Sequence, residues 1–230
     1  MVSKDKLKFI AIFFILGLVG LNMPFTQLLG ADVKFTLFDF FAPIAGAFLG
    51  PILGIVTVLG VEIVNIAIKQ TPLETGVIIR LFPVLFGTYY FAVITKNKKD
   101  KTENKNLSKF ILAVPVIAIT AFLLHPIGRT VPEFTLFWVI PYIAYFMRGN
   151  TFMRGLGATF TQHAVGGAAW IWAFNLPASV WKGLIPVVAM ERFVFATGIT
   201  LSYFAIRYTL AFLAEKKILP SVKKINPRYL

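Results

Sequence analysis

The sequence predicts an all-α integral membrane protein: a compact bundle of six to eight transmembrane helices with both termini cytoplasmic. Of its 230 residues, 57% are hydrophobic and only 14% charged, against about 45–50% and 25% in an ordinary soluble domain. A chain this short cannot hide so much apolar surface from water. Its apolar residues also cluster into stretches close to the ~20 residues that span a bilayer as a helix. Finally, the net charge of +13 is unevenly spread. Lys4, Lys6 and Lys8, six lysines in 96–109, Arg148, Arg154 and six basic residues from Arg207 onward account for 17 of the 23. Alternating crossings put all of these on one side, with four acids, while the remaining basic and acidic residues balance. That is the positive-inside pattern. It explains the basicity through topology and anionic lipid, so a nucleic-acid partner is not expected.

The apolar stretches fall at 8–29, 35–49, 52–69, 76–95, 109–128, 134–147, 152–174 and 183–212. The first follows three lysines, as a signal peptide does. It lacks a small-residue cleavage site and runs into Asn22, Thr26 and Gln27, so it reads as a retained helix. Stretches 35–49 and 134–147 are short for a span, which sets the range of six to eight, and 134–147 suits a re-entrant or interfacial piece. The lysine-rich segment 96–109 has no apolar run and reads as a solvated cytoplasmic loop between the halves of one polytopic domain, 1–230. The basic stretch 213–230 reads as a cytoplasmic tail. Phe-Thr-Leu-Phe occurs at Phe35–Phe38 and again at Phe134–Phe137. A duplicated 4+4 architecture, common in transporters, is therefore an alternative, although so biased a composition repeats tetramers by chance.

Gly46, Gly50 and Gly54 recur every four residues, and Gly50-Pro51 is a natural hinge. Small residues at this spacing let helices approach closely in lipid, which predicts a tight helical hairpin. Gly155, Gly157, Ala158, Ala164 and Gly166–Ala169 offer a similar surface in the second half.

Ionisable residues at membrane depth are costly, by ~2.5–3.5 kcal/mol on insertion scales, so each needs a partner or an aqueous cavity. Asp39, Glu62, Arg80, His163, Glu191 and Arg192 qualify, with Asn65, Gln162 and Asn175 nearby. Structural ion pairs joining helices, such as Glu191 with Arg80, are one reading. An outward-facing polar pocket is the other. Trp170, Trp172 and Trp181 flank Asn175 and suit either an interfacial belt or stacking on a planar ligand. There is no cysteine and only two histidines, His125 and His163, so no metal site is expected. No phosphate-binding loop, metalloprotease helix or nucleophile elbow occurs, so neither cofactor nor enzymatic activity is expected, and any transport must draw energy from an ion gradient or a partner.

The run Lys34–Asp39, then Pro43-Ile44-Ala45-Gly46-Ala47-Phe48-Leu49-Gly50-Pro51-Ile52-Leu53-Gly54, then Val61-Glu62-Ile63-Val64-Asn65 resembles the substrate-binding S components of energy-coupling factor (ECF) vitamin transporters, the riboflavin-type ones most closely. The likeness covers about 8–100 well, and 172–212 more loosely through Phe174-Asn175-Leu176 and Lys182-Gly183-Leu184-Ile185. It implies a six-helix bundle that captures a small water-soluble vitamin from outside and docks on a transmembrane coupling protein with two cytoplasmic ATPases. Two departures stand out. The docking face Ala-x-x-x-Ala of such first helices is here Ala11 followed by Ile15, and 109–174 holds more helix than six-helix members need. The residues expected to bind substrate are Arg80, Asn175, Lys182, Glu191, Arg192, Gln162, His163 and Trp172. Asp39, Glu62 and Asn65 are expected at the pocket floor, and Gly46, Gly50 and Gly54 in helix packing. The rival readings are an ion-coupled carrier using Glu62 or Glu191 as a proton site, and a membrane enzyme or assembly factor acting on lipid-linked substrates through Glu191 and His163.

Overall fold

The chain enters its first helix at the Ser3 hydroxyl, which accepts the Lys6 amide at 3.3 Å and so supplies an N-cap. The computed structural model describes residues 3–27, 34–94 and 105–222. Helix α1 spans Lys4–Leu21, α2 Phe38–Leu49, α3 Pro51–Lys69 and α4 Thr75–Val93. Helix α5 spans Lys105–Leu124, and two 3-10 segments, Gly128–Thr130 and Pro132–Val139, follow it. Then come α6 (Ile140–Phe146), α7 (Thr151–Ala173) and α8 (Ala178–Glu215). The architecture is helical as expected, and α3, α4 and α8 are long and apolar enough to cross a membrane.

Three boundaries differ from the sequence expectation. The first stretch does not stay helical to residue 29: α1 stops at Leu21, and Pro24–Gln27 (β1) pairs antiparallel with Lys34–Thr36 (β2). Asn22 turns its side-chain amide back onto the Leu18 carbonyl at 2.8 Å, taking up a free acceptor of the last turn. The solvated loop drawn over 96–109 ends earlier, since α5 already begins at Lys105; most of that loop, 96–104, lies outside the described residues. The tail drawn from 213 is still α8 as far as Glu215, and 223–230 lies outside the described residues.

Segment 134–147 is not one helix. A 3-10 segment carries Phe134–Val139 and the seven-residue α6 completes it, too short for an ordinary span and in keeping with a broken, partly buried piece. The two Phe-Thr-Leu-Phe tetrapeptides adopt different conformations. The first bridges β2 and the start of α2, and the second lies wholly in the 3-10 segment.

Close contacts give the direction of each helix. Gly20 of α1 lies against the Phe38 backbone, and Phe13 meets Phe48 at 5.5 Å, so α1 and α2 are antiparallel. Gly50 turns the chain at φ +87°, a conformation that favours glycine. Gly46 and Gly54 then face each other across that turn; a Cβ on Gly54 would lie 2.6 Å from the Gly46 Cα. The glycine repeat is thus the expected hairpin, with Gly46 and Gly54 on facing helices rather than on one face of a single helix. Helix α4 runs back beside α2, and α7 runs opposite to α4, with Gly87 beside Gln162 and Gly157 beside Tyr90. Helix α8 returns along α7, from Arg192 at Thr159 to Tyr203 at Arg154.

The start of α1, the Gly50 turn, the end of α4, the start of α7 and the end of α8 therefore share one end of the bundle. Lys4, Lys6, Lys8, Arg148, Arg154, Lys216 and Lys217 sit there. The hairpin of β1 and β2 and the starts of α4 and α8 lie at the other end.

Helix α7 is the hub, packed against α4, α5, α6 and α8. Its neighbours screen it from lipid, which is why it carries Thr159, Thr161 and Gln162 buried in its interior faces. Two apolar clusters meet along it. One gathers α1 to α4 and the later half of α8 around Phe9, Phe13, Phe48 and Phe91. The other gathers Phe122, Phe134, Trp138, Ile171 and Trp181.

Candidate functional site

Arg192 sits where those two apolar clusters meet. Its Nη2 is 3.5 Å from the Glu191 carboxylate, and its Nη1 donates to the Thr159 hydroxyl at 3.3 Å. The guanidinium also lies over the rings of Phe195 at 4.6 Å and Phe35 at 5.2 Å, a cation–π setting. Glu191 and Arg192 are 8% and 6% exposed, so each charge depends on its neighbours, because removing one ion of a buried pair strands the other.

The field of Arg192 reaches Asp39 on α2 and His163 on α7. Asp39 opens α2, and its Oδ2 accepts the Thr36 amide at 2.9 Å. Arg80 on α4 acts on both Asp39 and Glu62, and Asp39 and Glu62 repel each other. Six of the residues expected to matter, Asp39, Glu62, Arg80, His163, Glu191 and Arg192, are thus linked through space across α2, α3, α4, α7 and α8, with Glu191 and Arg192 the one ion pair among the described residues. The expected Glu191–Arg80 pair is replaced. Glu191 pairs with its chain neighbour Arg192, while exposed Arg80 acts on Asp39 and Glu62 through space, without an ion pair to either. Asn65 lies one turn beyond Glu62 on the same face of α3.

Gln162 is buried against α4 at Gly87, where a Cβ would fall 2.6 Å from the amide carbon Cδ of Gln162. Its Nε2 has no hydrogen-bond partner, and neither do Arg192 Nε and Trp181 Nε1. All three are donors on α7 and α8, left without acceptors in a setting where an unmet buried donor costs ~1–3 kcal/mol.

His163 Nδ1 accepts from Trp138 Nε1 at 2.9 Å, which places the ring proton on Nε2. Its ring lies 5.4 Å from Phe134, which in turn contacts Trp181 at 5.0 Å. An aromatic wall of Phe122, Phe134, Trp138 and Trp181 therefore stands beside the charged group.

Asn175, Lys182 and Trp172 are not brought into this interior and are exposed at the end opposite the lysines. Trp172, 58% exposed, donates from Nε1 to the Ala121 carbonyl at 2.9 Å and packs edge-on against His125, joining α7 to α5. Of the three tryptophans flanking Asn175 in sequence, Trp181 points inward at 3% exposure and Trp170 packs at a tilt against Phe174, 4.3 Å between ring centres.

Sequence reasoning did not single out Thr159, Phe35, Phe195 or Trp138. Thr159 was legible in principle, since it lies three and four residues before Gln162 and His163 on one helix face. Nothing in the sequence linked Trp138 to His163. Among the described residues, no group of three metal-ligating side chains occurs. No family model, no curated protein and no solved structure matches this chain.

Proposed function

We propose that the chain is the substrate-capturing S component of an ECF-type uptake system in a prokaryotic plasma membrane. It binds a small water-soluble, vitamin-like nutrient from outside. In this reading six to eight segments cross the bilayer, both termini are cytoplasmic, and the basic end faces inward. The observation that carries the reading is the buried pair Glu191 and Arg192, with half-buried Asp39 and Glu62 and exposed Arg80 on the neighbouring helices, in the half of the bundle away from that basic end. Charges at membrane depth are retained at such cost where they serve binding or transport. The unmet donors of Gln162, Arg192 and Trp181 beside an aromatic wall suit a flat ligand rich in acceptor atoms.

A transmembrane coupling protein with cytoplasmic ATPases supplies the energy. Gly17 and Gly20 of α1 are consumed by internal packing on Val61 and Phe38. The face left for docking is Leu7, Ala11, Ile15 and Val19, larger than an Ala-x-x-x-Ala face.

Mass spectrometry of the protein purified in mild detergent tests the proposal. A small ligand should accompany the wild type, and Glu191→Gln and Arg192→Ala should lose it while eluting as folded monodisperse protein. Full retention in both variants overturns the site.

One observation favours a second reading, an ion-coupled carrier: three carboxylates share the group with two guanidinium ions, which leaves one negative charge for a proton to neutralise. Uptake driven by a proton gradient in proteoliposomes without any ATPase would establish that reading and remove the first.

A further inference from the structure

The basic end of the bundle holds a second pair of guanidinium groups that the proposed substrate site does not use. Arg148 and Arg154 flank the turn between α6 and α7. Arg154 is 5% exposed. Its Nη2 donates to the Phe91 carbonyl at 3.1 Å near the end of α4, and the group lies 4.4 Å from the Phe91 ring and 5.7 Å from the Tyr203 ring. Arg148 donates to the Tyr145 carbonyl at 3.0 Å and covers the Tyr145 ring at 4.3 Å. Both act on the Tyr90 hydroxyl, which donates to the Pro141 carbonyl at 2.6 Å.

Neither arginine has a carboxylate within ion-pair distance among the described residues, and both Nε donors lack a hydrogen-bond partner. Arg192, by contrast, has Glu191. The same turn presents the start of the 23-residue α7, capped by Asn150, whose dipole adds positive potential. Two cations without a carboxylate, of which Arg154 also has the Tyr203 side chain as a partner, two unmet Nε donors and a helix N-terminus thus lie at the end of the bundle that collects the lysines.

We infer that the α6–α7 turn binds a phosphate group through Arg148 and Arg154, at the depth of the membrane headgroups. Guanidinium forks match phosphate oxygens in geometry and charge. The anion's two sources are an anionic phospholipid and free phosphate, and the experiment separates them. The inference does not depend on the substrate proposal, because the residues and the end of the bundle are different.

The protein is delipidated by detergent exchange, and thermal unfolding is followed with added phosphatidylglycerol, phosphatidylcholine or inorganic phosphate. At a hundredfold excess over Kd, a specific ligand should raise Tm by about 5–10 °C. Phosphatidylglycerol should do so and phosphatidylcholine should not. Arg148→Gln, at a half-buried position, should abolish the shift without unfolding the protein, while Arg207→Gln at the same end of the bundle should keep it. A shift from inorganic phosphate that Arg148→Gln removes supports the same site with the free ion as its source. Equal shifts from both lipids, or an unchanged phosphatidylglycerol shift in Arg148→Gln, would overturn the inference.

Discussion

Adding one methyl group to selected glycines tests whether the α2–α3–α4 contact is as close as the structure shows. A Cβ on Gly46 would run into the Thr88 carbonyl oxygen and lie 2.8 Å from the Ala92 Cβ; one on Gly54 would lie 2.6 Å from the Gly46 Cα. Backbone atoms cannot rotate away as a side chain can, so the helices must separate by roughly 1 Å to reach ordinary van der Waals distance. Overpacking of this kind costs about 1–3 kcal/mol, and backbone obstacles push toward the upper end. Replacing helical glycine by alanine returns about 1 kcal/mol in propensity.

The net loss for Gly46→Ala or Gly54→Ala is therefore about 1–2 kcal/mol, or roughly 2–8 °C in Tm for a chain of this size. Gly183 in α8 is the internal control, because its added Cβ meets nothing within 4 Å. Gly183→Ala keeps the propensity gain and should raise Tm by about 2–4 °C. Differential scanning fluorimetry in one detergent compares all three. If Gly46→Ala and Gly54→Ala are as stable as Gly183→Ala, the close approach of these helices is wrong.

Three further outcomes are expected. Arg192→Gln strands the buried Glu191 carboxylate and should cost ~3–5 kcal/mol. The double variant Glu191→Gln/Arg192→Gln should be more stable than Arg192→Gln alone, and additive losses would show that the pair is not coupled. Trp138→Phe removes the hydrogen bond to His163 Nδ1, a loss of ~1 kcal/mol. Nitrogen-15 shifts of that ring should report a loosened tautomer preference, and an unchanged spectrum would refute the contact. Asn150→Ala removes the acceptor for the Phe152 and Met153 amides and should cost about 1 kcal/mol, read as a lower Tm; no change would mean that the cap is dispensable.

Much of the bundle was legible because hydropathy is a local property. Stretches 52–69 and 76–95 coincide closely with α3 and α4, and 152–174 with α7. What failed did so for identifiable reasons. Residues 24–27 are short and only partly apolar, and nothing local marks them as strand rather than helix tip until 34–36 pairs with them. Segment 134–147 is apolar enough for a helix, but its register is broken by the burial of Phe134 and Trp138 against Phe122 and α7. In the candidate site, composition alone flagged Asp39, Glu62, Arg80, His163, Glu191 and Arg192, since charge inside an apolar stretch is conspicuous. Lys182, Asn175 and Trp172 drew attention by proximity in sequence, which does not determine the side of the helix a residue faces.

The sequence by itself determined where most of the helices form and that most of the basic residues gather at one end of the bundle, because hydropathy and charge are properties of the chain read locally. Only the tertiary structure decided that Glu191 meets Arg192 while Arg80 stays exposed on α4, apart from that pair. It alone turned Trp181 inward and left Trp172 outside. Those choices depend on the rotation and separation of helices distant in sequence, set at contacts such as Gly46 on Gly54 and Gly87 on Gln162, where the absence of a side chain lets two elements touch.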